Sequence, residues 1–411
     1  MQRGGLIERL HPPLLNLALS AGKLAAKSGI RAYLVGGIVR DLMLGRPCVD
    51  VDLAIEGDAV KLAGQMAQKL GARLTVHKAF GTASLKTDDF NVDLATCRSE
   101  IYRCPGALPL VSPGTLQDDL KRRDFSINAM AVSVNAPDRD VLTDFFGGRR
   151  DLSQGLIRVL HNISFQDDAT RMMRAVRYEQ RLGFKLERGT ARLLKRNLDM
   201  LDTISGDRLK NELLLWLKEE SCPAILRRAS RLGITGKLHP ALRWQRTMRS
   251  AFRRAYASDI VKTPHLFFCL LVYNLNEEQL YELLARLNLT GSRLDLLSNQ
   301  ALELREKCRE LAKPGLKRSK IYSTLHGYDS ISIQTICCYA VIPTLRSNLA
   351  LYLKELRQVK TSLDGNELMK IGLREGPRLG AILNKLLAAR LDGAVQSKSD
   401  EIKLARRLAG L

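Results

Sequence analysis

Aromatic residues are sparse in this chain, 5% of 411 with two Trp. Long apolar runs are missing: the longest lies near Leu266–Tyr273, far short of the roughly 20 residues a bilayer demands. That excludes a membrane-spanning protein. The eight cysteines contain no CxxC pair, Cys337 and Cys338 being simply adjacent, and the six histidines are dispersed. Neither a disulfide framework nor a structural zinc site fits, and reduced thiols in a cytoplasmic protein do. The first 20 residues lack a clean apolar stretch ending in a small-residue cleavage site, so no secretory signal is expected. There is no internal repeat, no low-complexity tract and no His-Asp doublet, so a fused metal-dependent phosphohydrolase is not indicated. With 45% hydrophobic and 26% charged residues, the chain is no disordered polymer. Its length suggests roughly two to four domains.

What is abundant is positive charge: 65 Lys and Arg against 43 Asp and Glu, a formal net of +22. The excess is uneven. Residues 1–150 hold 20 basic and 16 acidic side chains, whereas the remaining 261 hold 45 and 27. Clustered Lys and Arg release the counterions condensed on a polyanion, so nucleic acid is the natural partner of the C-terminal two-thirds.

The texture of the chain changes along with the charge. Short β-type runs occur at Arg31–Val35, Val49–Ile55, Ala72–Val76 and Asn91–Ala95, with helical periodicity at Ala59–Leu70. From about residue 165 onward apolar residues recur at helical steps, as at Leu209, Leu213, Leu214 and Leu217. The reading is an α/β N-terminal domain followed by an all-α remainder, with weak boundary candidates at Gly291 and Pro314–Gly315.

Chemistry concentrates near the N-terminus. In Tyr33-Leu-Val-Gly-Gly-Ile-Val-Arg-Asp41 a strand runs into Gly36–Gly37 and a helix opens at about Ile38. Glycines at such a turn let backbone N–H groups approach a phosphate, and the helix start favours negative charge. Arg40 lies one turn into that helix. Asp50 and Asp52 are two apart in an apolar β-run, so both leave one face of the sheet. Paired carboxylates of this kind suit hard cations such as two Mg²⁺ ions, and thus phosphoryl or nucleotidyl transfer. Asp93 follows a similar alternation in Asn91-Val-Asp-Leu94; a third carboxylate and an ordinary surface acid both fit it.

These residues carry a resemblance. Leu34-Val-Gly-Gly-Ile-Val-Arg-Asp-Leu-Met-Leu-Gly-Arg46 with Asp50-Val-Asp52 resembles the first motif of the class II tRNA nucleotidyltransferase and poly(A) polymerase family. Arg122-Arg-Asp-Phe-Ser-Ile-Asn-Ala-Met130, Asp144-Phe-Phe-Gly-Gly-Arg-Arg-Asp-Leu152 and Asp167-Asp-Ala-Thr-Arg-Met-Met-Arg-Ala-Val-Arg-Tyr178 with Arg181-Leu-Gly-Phe184 resemble the next three. Arg208-Leu-Lys-Asn-Glu212 resembles a short fifth. The resemblance implies a polymerase-β-like nucleotidyltransferase head (1–150), then a helical neck (151–220), body (221–290) and tail (291–411). It implies Asp50 and Asp52 as metal ligands, Gly36, Gly37 and Arg40 at the triphosphate, and Arg123, Asp168, Arg171, Arg174 and Arg177 lining the nucleotide site. Spacing by three puts Asp168, Arg171 and Arg174 on one face if they share a helix. A carboxylate beside guanidinium groups can then read the edge of cytosine or adenine.

Two departures stand out. Asp167 replaces the Glu usual before Asp168. After the metal motif the chain reads Val76-His-Lys-Ala-Phe-Gly-Thr-Ala83 rather than a basic run ending in Phe; this stretch and Arg98–Pro109 resemble the tRNA end-adding branch. Farther on, Arg243, Arg246, Arg249 and Arg253 stand at steps of three, three and four. They predict a basic helical stripe that serves either as an RNA-backbone track or as a solvated face. The expected activity is template-independent addition of C, A or both to the tRNA 3′ end from CTP or ATP. An enzyme restricted to CC or to A, a poly(A) polymerase, and a non-catalytic tRNA-binding protein are the alternatives.

Overall fold

A computed structural model describes residues 5–48, 50–77, 81–87, 91–104, 106, 107 and 109–410. Val49, Lys78–Phe80, Pro105 and Leu108, all within stretches quoted above, lie outside them. The chain divides into two compact units, Met1–Lys237 and Leu238–Leu411. The expected boundaries near 150 and 220 both fall inside the first unit.

The first unit is built on nine strands: β1 Arg31–Val35, β2 Asp50–Glu56, β3 Arg73–His77, β4 Thr82–Lys86, β5 Asn91–Thr96, β6 Arg98–Ile101, β7 Leu110–Pro113, β8 Ala131–Ser133 and β9 Leu142–Thr143. Seven form one mixed sheet in the order β3-β4-β5-β2-β1-β8-β9, while β6 and β7 make a separate hairpin. The β2–β5 pair is parallel and the sheet's other pairs are antiparallel. The helices in order are α1 Pro12–Lys27, α2 Gly37–Met43, α3 Ala59–Leu70, α4 Leu116–Lys121, α5 Gly148–Gln154, α6 Ser164–Asp167, α7 Thr170–Leu182, α8 Arg188–Arg196, α9 Gly206–Lys218 and α10 Cys222–Leu232. A further two-residue strand pair, Leu156–Ile157 with Lys185–Leu186, interrupts the helical neck.

The alternation in β2 decides which way its acids face. Val51, Leu53 and Ile55 are buried, toward the side where α1 and α3 pack. Asp50, Asp52, Ala54 and Glu56 take the opposite face, where Ala54 joins a cluster with Tyr33, Val35, Leu116 and Leu120. The helix α4 covers the far end of this face: Leu116 N–H donates to Glu56 at 2.8 Å. The near end, with both aspartates, stays open. Local caps fix the elements around it. Asp58 caps α3 through Lys61 N–H, and Thr115 and Asp118 form a reciprocal capping box on α4.

The short helix α11 (Ile234–Leu238) spans the junction of the two units. The second unit is all-helical, from α12 Arg246–Ala257, α13 Pro264–Val272, α14 Glu277–Arg286 and α15 Arg293–Leu311 through α16 Arg318–Leu325 and α17 Ser330–Tyr339 to the final helix Lys398–Ala409. The expected apolar run became α13, whose residues Leu266–Val272 are all buried. Among the described residues no helix is long and apolar enough to cross a membrane.

Candidate active site

The strand-to-helix turn after β1 brings the first motif together. Gly36 adopts φ 79°, a left-handed conformation that L side chains resist. A side chain there would also collide: an ideal Cβ sits 2.7 Å from Arg123 Nη1 and 3.8 Å from Asp52 Oδ2. The glycine, a guanidinium and a carboxylate therefore converge on one spot. Across the parallel β2–β5 pair, Asp52 is in register with Asp93, and Asp50 with Asn91, so the three acids line one face. Ser84 Oγ donates to Asp93 at 2.5 Å. Burial at the cleft wall pushes the Asp52 carboxyl above its ordinary value; the nearby Arg123 opposes this, and the Asp93 and Asp50 carboxylates add to it. Crowded acids of that kind favour a divalent cation. Among the described residues no group of three or more His, Cys, Asp or Glu is arranged to hold a metal ion. Magnesium is commonly held by one or two carboxylates plus water and substrate phosphates, so the hard oxygen donors of Asp50 and Asp52 fit it.

From this floor rises a cleft of about 530 Å³, lined by Gly36, Gly37, Asp52, Arg123, Asp168, Arg171, Arg174 and others of the first unit. Seven of the sequence-predicted residues thus share one cavity. The Asp168 geometry differs from expectation. It lies between α6 and α7 with extended backbone (φ −146°, ψ 101°), so it shares no helical face with Arg171 and Arg174. Asx-type chemistry won over helical spacing, because its Oδ1 caps α7 through Thr170 N–H at 2.9 Å and the Thr170 hydroxyl at 2.6 Å. Arg208 Nη2 reaches the same oxygen at 2.7 Å.

The arginines are held rigidly. Arg171 is buried, its fork fixed by Ser164 Oγ and the Arg122 carbonyl, both at 2.7 Å. Arg174 grips Asp124 Oδ2 through Nε (2.9 Å) and Nη2 (2.7 Å). Arg123 pairs with Asp119 at 3.0 Å through Nη2, which leaves Nη1, the nitrogen beside Gly36, without a hydrogen bond among the described residues. Arg40 and Arg177 stand outside the cleft lining. Arg40 is 3% exposed, with Asp41 taking Nε and Nη2 and Asn128 taking Nη1 at 2.6 Å. Arg177 lies 3.5 Å from Glu212 and 3.7 Å from Glu219, tying α7 to α9 and to the turn that follows it.

Several residues escaped the sequence reading. Asp124 is buried and accepts from Asn128, Arg174 and Phe125 N–H. Burial alone would raise its carboxyl, yet Arg174 and Asn128 outweigh that and hold it below the usual range. Tyr178 sits within 5.2–5.7 Å of the Arg40, Arg174 and Arg177 guanidinium carbons, an arrangement that aligns cations on a ring face. Arg208 and Glu212 also line the cleft. All four stood inside quoted motifs; their burial and partners carry no one-dimensional signature.

The basic stripe is shorter than expected. Arg246, Arg249 and Arg253 are exposed on α12, opposite the buried Met248, Ala251, Phe252 and Ala255. Arg243 falls in the irregular segment before α12, because α12 starts only at Arg246, and so it leaves the helical stripe. Trp244 and Tyr256 pack inward on the Phe252–Phe267 pair, with centroids 5.4–5.6 Å apart.

Residues 32–158 match the poly A polymerase head domain. Over 97% of its length the chain is 36% identical to an A-adding tRNA nucleotidyltransferase of Geobacter sulfurreducens, spanning 47%, about half, of that longer protein. It is 30% identical to an A-adding tRNA nucleotidyltransferase of Halalkalibacterium halodurans, covering 95% of this chain and 92% of the relative. The Thermotoga maritima CCA-adding enzyme complexed with tRNA superposes with TM-score 0.79 at 30% identity, over 98% of this chain and 97% of that one. With at least 30% identity to relatives and a shared fold over nearly its whole length, the chain belongs to the class II tRNA nucleotidyltransferase and poly(A) polymerase family.

Proposed function

We propose that the chain is a template-independent nucleotidyltransferase that extends the 3′ end of tRNA with C, A or both from CTP or ATP, releasing pyrophosphate. One observation carries this: the Asp52 carboxylate, the Gly36 turn and the unpaired Nη1 of Arg123 meet at the floor of a cleft whose wall presents Asp168, Arg171 and Arg174. Asp50 and Asp52 would hold the Mg²⁺ ions, which supply Lewis-acid activation of the attacking hydroxyl and the leaving phosphate. Asp93 extends the acidic row as a third carboxylate. The Gly36–Gly37 backbone and Arg123 receive the triphosphate, while Arg40 braces that turn from below through Asp41 and Asn128. Asp168 keeps Oδ2 free as an acceptor among the described residues. Cytosine and adenine both offer an exocyclic amine where uracil and guanine offer a carbonyl, so a fixed carboxylate selects the first pair. Arg171 and Arg174 hold that wall, with Arg177 behind them.

In this reading residues 1–150 perform the chemistry, 151–220 read the base, and 221–290 with 291–411 grip the acceptor arm. Arg246, Arg249 and Arg253, with Arg243 just before them, supply phosphate contacts. A tRNA substrate supports a cytoplasmic location. The A-adding names of both relatives above favour addition of the terminal A alone. Purified protein with labelled CTP or ATP, and tRNA ending before, within or after CC, decides by product length on a gel. A single A on tRNA ending in CC supports the restricted activity, and three additions support the full one. A long tail indicates poly(A) polymerase, and no product on any end overturns the proposal in favour of a non-catalytic tRNA-binding protein.

A further inference from the structure

A second cavity in the first unit, about 520 Å³, is lined by Arg158, His161, Glu187, Arg192 and Arg196 among others. It adjoins the nucleotide cleft through the chain itself. Asp168 lines the cleft, whereas the neighbouring Asp167 lies 3.7 Å from His161 Nε2 in the other cavity's wall. Thus the Asp that replaces the usual Glu serves a different site from the nucleotide.

The charge of this cavity is not balanced from within. Helix α8 contains Arg188, Arg192, Lys195 and Arg196 and no acid. Its N-terminus is already satisfied, because Glu187 accepts from Thr190 N–H at 2.8 Å. Arg158 is likewise engaged, donating to both oxygens of Asp151. The acids nearby are therefore taken, while Arg192 and Arg196, exposed and one turn apart, have no carboxylate partner among the described residues. His161 Nδ1 is a buried ring nitrogen without a hydrogen bond, the kind of atom normally met by water or a ligand.

We infer that this cavity is a second anion site, which holds the phosphodiester backbone of the RNA substrate upstream of its 3′ end. The nucleotide's own phosphates already have Gly36 and Arg123. Two arginines whose Cβ atoms lie about 6 Å apart along a helix face suit successive phosphates of a strand rather than one terminal group. The cavity and the cleft meet at the Asp167–Asp168 turn, Asp168 on the cleft side and Asp167 beside His161, so one strand can occupy both. The inference rests on the proposed activity at RNA 3′ ends.

The test is R192E/R196E beside R192K/R196K, each first checked for an unchanged thermal midpoint. Binding of tRNA is measured by fluorescence anisotropy across salt concentrations, and KM for tRNA and for ATP in single-nucleotide addition. The charge reversal should weaken tRNA binding at least tenfold and lower the slope of log K against log salt by about 1.5, for two lost phosphate contacts; the Lys pair should keep both. Unaltered tRNA affinity and slope would overturn the inference. So would a raised KM for ATP with an unmoved KM for tRNA, which assigns the cavity to the nucleotide. Wild-type protein that neither binds nor extends tRNA sinks the activity itself, whereas active wild type with an indifferent reversal variant sinks the second site alone.

Discussion

Arginines dominate both the cleft of the first unit and the α12 face, and they are held in opposite ways. In the cleft, Arg123, Arg171, Arg174 and Arg208 are each tied to a specific acceptor: Asp119, Ser164, Asp124 and Asp168. On α12, Arg246, Arg249 and Arg253 project into solvent with no ion pair among the described residues. A held guanidinium costs desolvation but gains direction, which is what reading one base edge requires. A free one costs little and fits any phosphate, which is what gripping a backbone requires. Positive charge alone does not separate these two environments; the partner of each arginine does.

The comparison breaks most severely at the carboxylates the cleft serves. D50A/D52A should lower nucleotide incorporation on the order of a thousandfold or more while tRNA binding, carried by the free arginines, persists. If binding and incorporation fell together, the two regions would not divide the work. Next in size is the internal pairing of the cleft. D124A leaves Arg174 beside a vacated carboxylate and should destabilise the first unit by about 3 kcal/mol, read by urea unfolding. The same carboxylate has a pH signature. Its folded value lies below the ordinary one, so its stabilisation is full above about pH 4 and is lost as pH falls through the depressed value. The unfolding midpoint of D124N should therefore decline less steeply in acid than that of the wild type.

How much of this was legible beforehand follows the same division. Strand alternation placed Asp50 and Asp52 on one face, and the observed β2 bears it out, since one buried face forces the period-two pattern to declare itself. Helix Ala59–Leu70 was read to the residue, helped by Asp58 and Gly71 at its ends. Spacing cannot say whether Asp168 shares the helix of Arg171 and Arg174, because steps of three look alike whether the first member lies inside the helix or caps it. Arg243 was joined to α12 for the same reason. Asp124 and Arg208 could not be read at all, since what marks them is contact with residues 50 or 40 positions away, and Tyr178 meets Arg40 from far along the chain. Periodicity reports which face a residue takes; it is silent on which partner it meets there.

Arg208 sharpens the contrast from the cleft side. Its bond to Asp168 is charge-assisted and partly buried, a class that contributes about 1.5–3 kcal/mol. R208A should raise the nucleotide KM by about tenfold to a hundredfold and relax the preference for C and A over U and G. Loss of kcat with an unchanged KM and selectivity would show that Asp168 needs no such anchor.

The smallest effects are expected on α12, where each arginine acts alone. R246A, R249A and R253A should each weaken tRNA binding by about threefold at physiological salt, in line with about 0.2–1 kcal/mol for an exposed charge contact. The triple variant should lower the salt slope by about 0.7–0.9 for every phosphate lost. Selectivity among nucleotides should not move, because none of these side chains lines the cleft. R243A is the informative control. It keeps α12 intact and removes a charge from the irregular segment before it, so a loss as large as that of R253A would put the RNA path beyond the helix, along the chain leading into it. A negligible loss confines the backbone to the face that Arg246, Arg249 and Arg253 share, and then helical phase, more than local charge density, sets where the strand lies.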